Sequence, residues 1–216
     1  MTDQQMSQDE FATYIAQKIR TLHSQSRAPQ FIALNGRDCA GKSTLAKDVH
    51  QQLSRLGLSA TLLSIDAFLI PRHLRTPSTP EHIDYFENAF DYTALVQALE
   101  TIKNRASSVD PNSYDIVLVE GVFLLREELY HWWDLTVWVE ADTAMIMDRA
   151  IKRDKKYFGD EHTVRRVYEN RCLPAQNYHI QRDLPKQNAD ITATFENGTW
   201  RVTTTFFSDG EYAAQK

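Results

Sequence analysis

The stretch "FIALNGRDCAGKSTLAKDV", residues 31–49, limits the fold more than any other part of the chain. Four apolar residues stopping at a glycine read as a strand buried on both faces of a parallel sheet. Behind it, Leu45, Val49, Leu53 and Leu56 recur at helical spacing until Gly57, which suits a helix C-terminus. Between strand and helix lies Gly36, four residues, then Gly41, Lys42 and Ser43, a complete G-x(4)-G-K-[ST] pattern. Glycines at these places let successive backbone N–H groups face one anion, and the helix N-terminus adds its partial positive charge. The loop is therefore expected to hold a phosphate through Gly36, Asp38, Cys39, Ala40, Gly41, Lys42, Ser43 and Thr44. Lys42 would reach the outer phosphates of a nucleotide, and the Ser43 hydroxyl would be a magnesium ligand.

The rest of the chain repeats the strand–helix alternation. "SATLLSI", "YDIVLVEG" and "LTVWVEA" read as further core strands, with helical patterns in "DYTALVQALETI" and "TAMIMDRAIKRDKKY". A helix from Ser7 is expected, because Ser7 and Glu10 form a capping box ahead of Phe11, Ile15, Ile19 and Leu22; we place it outside the core. "ADITATFE", the turn Asn197–Gly198 and "TWRVTTTFF" read as a β-hairpin. Residues 66–90 show no clear periodicity and are expected to be a functional loop. The predicted architecture is one α/β domain, residues 1–216: an N-terminal helix over 7–27, a doubly wound, mostly parallel sheet over 31–191 and a C-terminal hairpin over 191–207.

Composition excludes several classes. With 216 residues, 42% of them apolar, the chain can bury a substantial core. A formal charge of -5 argues against a nucleic-acid binder. No basic start precedes an apolar run, and no window approaches eighteen apolar residues, so a cytosolic protein without a membrane partner is expected. Cys39 and Cys172 form no CxxC pair, the histidines show no ligand spacing, and no zinc site is expected. Trp132 and Trp133 are read as cover for the sheet. Cys39 is read as an inert loop residue; the sharper alternative is a thiol made reactive by the helix N-terminus.

Two carboxylates belong with the loop. Asp66 follows the strand after the loop's helix, at the sheet edge where ligands bind, and can accept the proton of an attacking hydroxyl. Glu120 ends "IVLVE", where an acid buried without a partner would be costly, so a metal or bound water is its natural partner. No Asn-Lys-x-Asp element of a GTPase is present.

The motifs "GRDCAGKST", "SIDAFLIPR", "AFDY" (89–92), "VLVEGVFLLREEL", "RAIKRD" (149–154) and "RCLPAQNYH" (171–179) resemble, in their order and spacing, the uridine kinase and phosphoribulokinase branch of the P-loop kinases. The similarity runs over about residues 31–191. It implies a P-loop NTPase fold with five parallel strands and a helical lid, ATP with magnesium as donor, and a small-molecule hydroxyl as acceptor. It implies further that Asp66 is the base, that Glu120 belongs to the magnesium site, and that Arg153, with Arg149, contacts phosphates from the lid. The second lid arginine of the family is unmatched at Asp160, leaving Arg165, Arg166 or Arg171 for that role. Uridine-cytidine kinases of the branch read the pyrimidine with a β-hairpin where this chain has only "KNRASSVDPNS". Acceptor contacts are therefore expected from Arg72, His73, Arg75, His82, Asp84, Tyr85 and Asp91, with Arg166 and Arg171 from the lid. Uridine or a related nucleoside is the nominal acceptor. A pantothenate-like or sugar-phosphate compound is the alternative, and a nucleotide-binding protein that phosphorylates nothing is the reading from another class. A homo-oligomeric contact through the terminal hairpin stays open.

Overall fold

The computed structural model describes residues 2–26, 28–75, 80–106 and 113–205. Its strands are β1 (Thr2–Met6), β2 (Gln30–Gly36), β3 (Ala60–Ser64), β4 (Ile116–Gly121), β5 (Leu135–Ala141), β6 (Ile191–Glu196) and β7 (Thr199–Thr204). Its helices are α1 (Gln8–Gln25), α2 (Lys42–Arg55), α3 (Glu81–Asn88), α4 (Tyr92–Ala106), α5 (Thr143–Phe158), α6 (Glu161–Val167), α7 (Leu173–Asp183) and α8 (Pro185–Asn188). Among the described residues the strands form one sheet in the order β1-β7-β6-β5-β2-β4-β3. The five strands from β3 to β6 run parallel, and β7 and β1 extend the β6 edge in antiparallel fashion.

Both faces of this sheet are covered, which is why its central strands are continuously apolar. Along β2, Ile32 and Leu34 enter one core cluster with α1, α2 and α5, while Phe31 and Ala33 enter the other with α3 and α4. The capping box at Ser7 is formed, with Glu10 Oε2 accepting the Ser7 amide at 2.8 Å. However, α1 does not lie outside the core. Phe11, Ala12, Ile15, Ala16 and Ile19 are wholly buried, and Phe11 meets Trp200 of the hairpin with ring centroids 5.4 Å apart. At roughly 1.5–3 kcal/mol for each large apolar side chain, this burial makes α1 a structural part of the layer.

Two further elements depart from the sequence reading. β1 adds a seventh strand from "TDQQM", which has no apolar alternation; it forms because the β7 edge offers main-chain partners, Thr2 opposite Thr204 and Met6 opposite Trp200. Residues 66–90 are not a continuous loop. They contain 3₁₀ turns at Ile65–Phe68 and Arg72–Leu74 and the helix α3, whose Phe86 is buried. The hairpin turn forms as expected, with positive φ at Asn197 (50°) and Gly198 (84°). Trp133 is buried and donates its indole N–H to the Leu124 carbonyl at 2.8 Å, and Trp132 packs edge-on to Phe31, so both cover the sheet. The interval where relatives would carry a base-reading hairpin falls largely on residues 107–112, outside the described residues.

Candidate active site

Strand register brings the site together. Glu120 on β4 stands opposite Leu34 of β2 and Ser64 of β3, so its carboxylate lies between the strand that launches the phosphate loop and the turn that carries Asp66. Gly36 itself is needed for a reason that spacing did not reveal. Its φ of 158° is one that L side chains rarely adopt, and a Cβ there would also stand 2.0 Å from the Val139 carbonyl oxygen on β5. Backbone curling is supplied instead by Cys39 and Gly41, with φ of 55° and 106°. These turn the loop into the N-terminus of α2.

The loop is held by neighbours on three elements. Lys42 is buried and donates from Nζ to the Arg37 carbonyl at 2.6 Å. Burial pushes its pKa down, and Asp38 and Glu120 oppose that effect. The Ser43 hydroxyl donates to Glu120 Oε2 at 3.0 Å. Arg149 on α5 donates to the Cys39 carbonyl at 3.0 Å while its guanidinium lies 5.1 Å from the Phe195 ring centroid. Gln176 on α7 accepts from the Asp38 amide at 3.3 Å and donates to the Asp38 carboxylate at 2.8 Å. Gln176 lies in the quoted motif "RCLPAQNYH", but nothing in its local pattern assigned it to the loop.

A cavity of about 490 Å³ runs along the loop from Asp66 and Glu120 past Lys42 and Ser43 to Gln8, Phe195 and Trp200. Its far end is aromatic, with Phe195 edge-on to Trp200 at 5.0 Å and the Trp200 indole donating to Gln8 at 2.6 Å. This chemistry suits a purine base at one end and phosphates at the other. Those three residues were not singled out by the sequence, because the hairpin and α1 reach the loop only through the fold. A second cavity of about 500 Å³ is lined by Leu69, Arg75, Tyr85, Tyr157, Tyr168 and Arg171. Asp38, Asp66 and Arg153 line both cavities.

Asp66 therefore sits where the two spaces meet. Partial desolvation, then repulsion from Asp38 and from Glu120, holds its carboxyl above the usual carboxylate value, against the attraction of Lys42 and Arg153. Arg153 is fixed by Asp154, Nε to Oδ1 at 2.7 Å, and by the Tyr168 hydroxyl at 2.9 Å, which itself donates to Asp154 at 2.8 Å. Tyr168 is a positioning residue on the π-helical turn Tyr168–Cys172. Tyr168→Phe is expected to loosen Arg153 and lower kcat by about 3–30-fold with little change in acceptor KM, read from steady-state ADP release. An equal loss in kcat/KM for every substrate together with a lowered Tm would mark a merely structural role.

The structure leaves other candidates outside both cavities. The Arg72 side chain is 80% exposed and lies 3.6 Å from Glu81; Asp84 accepts from Asn88; Arg165 pairs with Glu161; Arg166 is exposed; His73 and His82 line neither space. Asp91 caps α4 through the Ala94 amide at 2.9 Å. Arg72 and His73 sit on the 3₁₀ turn, His82 and Asp84 on α3, and Arg165 and Arg166 on α6, and which side of each element faces the site is not disclosed by its charged sequence. The reactive-thiol alternative for Cys39 is corrected as well. Burial pushes that thiol up, and its Sγ lies 3.7 Å from the Tyr168 hydroxyl. Among the described residues there is no group of three or more His, Cys, Asp or Glu side chains able to hold a metal ion, and no helix long and apolar enough to cross a membrane.

A parallel sheet with a phosphate loop after β2, Glu120 at the end of the adjacent β4 and Asp66 after β3 beyond it, has the P-loop fold used by phosphotransferases acting on hydroxyl groups. The sequence is similar to curated uridine kinases. It is 26% identical over 185 residues to the uridine kinase of Clostridium perfringens, covering 76% of this chain and 86% of the relative. No protein-family model matches the chain. In fold it is similar to a Silicibacter sp. TM1040 protein described as a fructose transport system kinase, with a TM-score of 0.67 at 20% identity over 86% of this chain and 98% of that one. It is also similar to D-glycerate 3-kinase from Cryptococcus neoformans, with a TM-score of 0.62 at 13% identity over 90% and 99% of the two chains.

Proposed function

We propose that this chain is an ATP- and magnesium-dependent kinase that transfers the γ-phosphate to a hydroxyl of a small metabolite oriented by Asp66. The observation that carries the reading is the shared boundary of the two cavities. A triphosphate seated on Lys42 and the loop would end at Asp66, and an acceptor in the second cavity would start there. The acceptor oxygen attacks the γ-phosphorus, the bond from that phosphorus to the β,γ-bridging oxygen breaks, and its electron pair leaves with ADP. The hydroxyl proton passes to the Asp66 carboxylate.

Arg153, set between the cavities and aligned by Asp154 and Tyr168, faces the charge that develops on the transferred group. Lys42 and the loop amides hold the phosphates in line. The oxygen donors Ser43 and Glu120, within 3.0 Å of each other, fit a magnesium ion that takes its remaining ligands from phosphates and water. Such an ion would neutralise charge on the outer phosphates. Leu69 and Tyr157, both exposed apolar side chains lining the second cavity, place an apolar rim where an acceptor enters.

Uridine is the acceptor that the names of the curated relatives supply, and a pantothenate-like or sugar-phosphate compound is the alternative. Coupled measurement of ADP release over a panel of nucleosides, polyols, hydroxy acids and sugar phosphates tests the reading. Acceptor-dependent ADP formation with at least one of them is the expected result. Tight ATP binding with no acceptor accelerating ADP formation would turn the assignment toward a non-catalytic nucleotide-binding protein.

A further inference from the structure

We propose that the acceptor is an anion, a hydroxyl compound bearing a carboxylate or a phosphate ester, whose charged end is held by Arg171 and Arg75. The proposal rests on the kinase reading above and names the substrate class of the same site.

Six charged side chains line the second cavity, and they separate by partner. Asp154 is taken by Arg153 and the Tyr168 hydroxyl, and Asp38 by Gln176. Asp66 feels chiefly Asp38, Glu120, Lys42 and Arg153, so the acids and Arg153 belong to the phosphate-loop side. Arg75 and Arg171 remain. Burial and then repulsion from Arg171 weaken the hold of Arg75 on its proton, while Tyr85 and Asp84 act the other way.

Arg171 has little to answer its charge within the fold. Its side chain is only 17% exposed, and its Nε has no hydrogen-bond partner. The nearest carboxylate, Glu81, stands at 3.9 Å, is itself more than half exposed, and lies 3.6 Å from Arg72 as well. The guanidinium is stacked on Tyr85, 5.1 Å from the ring centroid, which fixes the plane in which it can donate. Arg75 is anchored by Nε to the Ile70 carbonyl at 2.7 Å. Two guanidinium groups lining one cavity, one of them stacked on Tyr85 with a buried unused donor, offer planar donor pairs matched to a carboxylate or a phosphate. A neutral nucleoside could meet the donor with a carbonyl or hydroxyl oxygen but would bring no charge to answer the two cations, as a carboxylate or phosphate does. The cavity is thus polarised: a base at Asp66 for the hydroxyl, and cations across from it for a negative charge on the same small molecule.

Inorganic phosphate titrated into the protein saturated with magnesium and a non-hydrolysable ATP analogue is the direct probe, since the analogue occupies the phosphate loop. One phosphate site is expected in wild type, weakened about tenfold or more in Arg171→Gln and in Arg75→Gln, with affinity for the analogue unchanged as the check that each variant folds. Absence of a phosphate site in wild type, or phosphate affinity in both variants equal to that of wild type, overturns the proposal.

Turnover supplies the second arm, with glycerol, glycerate and glycerol phosphate, and ribose and ribose 5-phosphate, run beside uridine. An anionic member should exceed its neutral counterpart about tenfold in kcat/KM, and its KM should rise about tenfold in Arg171→Gln while Arg171→Lys recovers part of the loss. The hydroxy acid and phosphate-ester arms decide which anion is read. Preferred turnover of uridine or a neutral polyol, unaffected by Arg171→Gln, overturns the anionic acceptor and leaves the kinase standing. Phosphate binding without ADP release from any compound would instead remove the kinase reading and keep the anion site.

Discussion

Asp66→Asn is expected to lower acceptor-dependent ADP formation by roughly 10²–10⁴-fold, the range of a positioned general base, while ATP binding and Tm are kept or slightly raised. The geometric reason is that, among the described residues lining both cavities, Asp66 is the acid whose carboxylate is not taken by a neighbour, whereas Asp38 is held by Gln176 and Glu120, in the first cavity, by Ser43. The stability sign follows from the raised pKa. A carboxyl whose folded-state pKa lies above its unfolded value favours the protonated fold, so at neutral pH its ionised form opposes folding, and the neutral amide removes that penalty. The same shift sets the pH profile. The base form is lost as pH falls through the raised value, so the acid limb of kcat/KM should lie above that of an ordinary aspartate. Asp38→Asn, which removes the larger of the two repulsions, should move the limb to lower pH. Full activity in Asp66→Asn, or an acid limb that ignores Asp38→Asn, would remove Asp66 from the base role.

Gly36→Ala is expected to cost on the order of 3 kcal/mol and to lower Tm by roughly 6–12 °C. The new Cβ would lie 2.0 Å from the Val139 oxygen and 2.8 Å from its carbonyl carbon, atoms of the β5 backbone that cannot turn aside as a side chain could. Relief requires moving β2 away from β5, and Gly36 is paired with Val139 in that ladder. Nucleotide binding should weaken with the fold, because the phosphate loop starts at this residue. Thermal melting with and without ATP separates the causes. An unchanged Tm with lost nucleotide binding would return Gly36 to a role in loop conformation alone.

These two residues show how far local pattern reaches. The phosphate loop, the strand before it and the helix after it were legible because their chemistry is contiguous, and the G-x(4)-G-K-S spacing closes over about eight residues. Asp66 and Glu120 were legible as strand-end acids, since a parallel sheet gathers the ends of its strands at one edge. What was illegible is what packs there from far along the chain. Gln176 reaches Asp38 across 138 positions, and Trp200 meets Gln8 across 192. β1 could not be read because its pairing is with main chain, to which side-chain pattern is blind.

The arginines divide along the same line. A basic segment over residues 149–171 was plain, and motif order singled out Arg153 and Arg149, but Arg165, Arg166 and Arg171 could not be told apart. Tertiary packing sends Arg149 to the loop carbonyl of Cys39, Arg153 to the junction beside Asp66, Arg165 to a surface pair with Glu161, and Arg171 into the second cavity. The sequence alone thus determined where a phosphate-binding loop lies and that acids end the strands beside it, because loop conformation and strand-end position are local properties. Only the tertiary structure decided which cations line the cavities and which face water, because that depends on where helices separated by dozens of residues press their sides against one another.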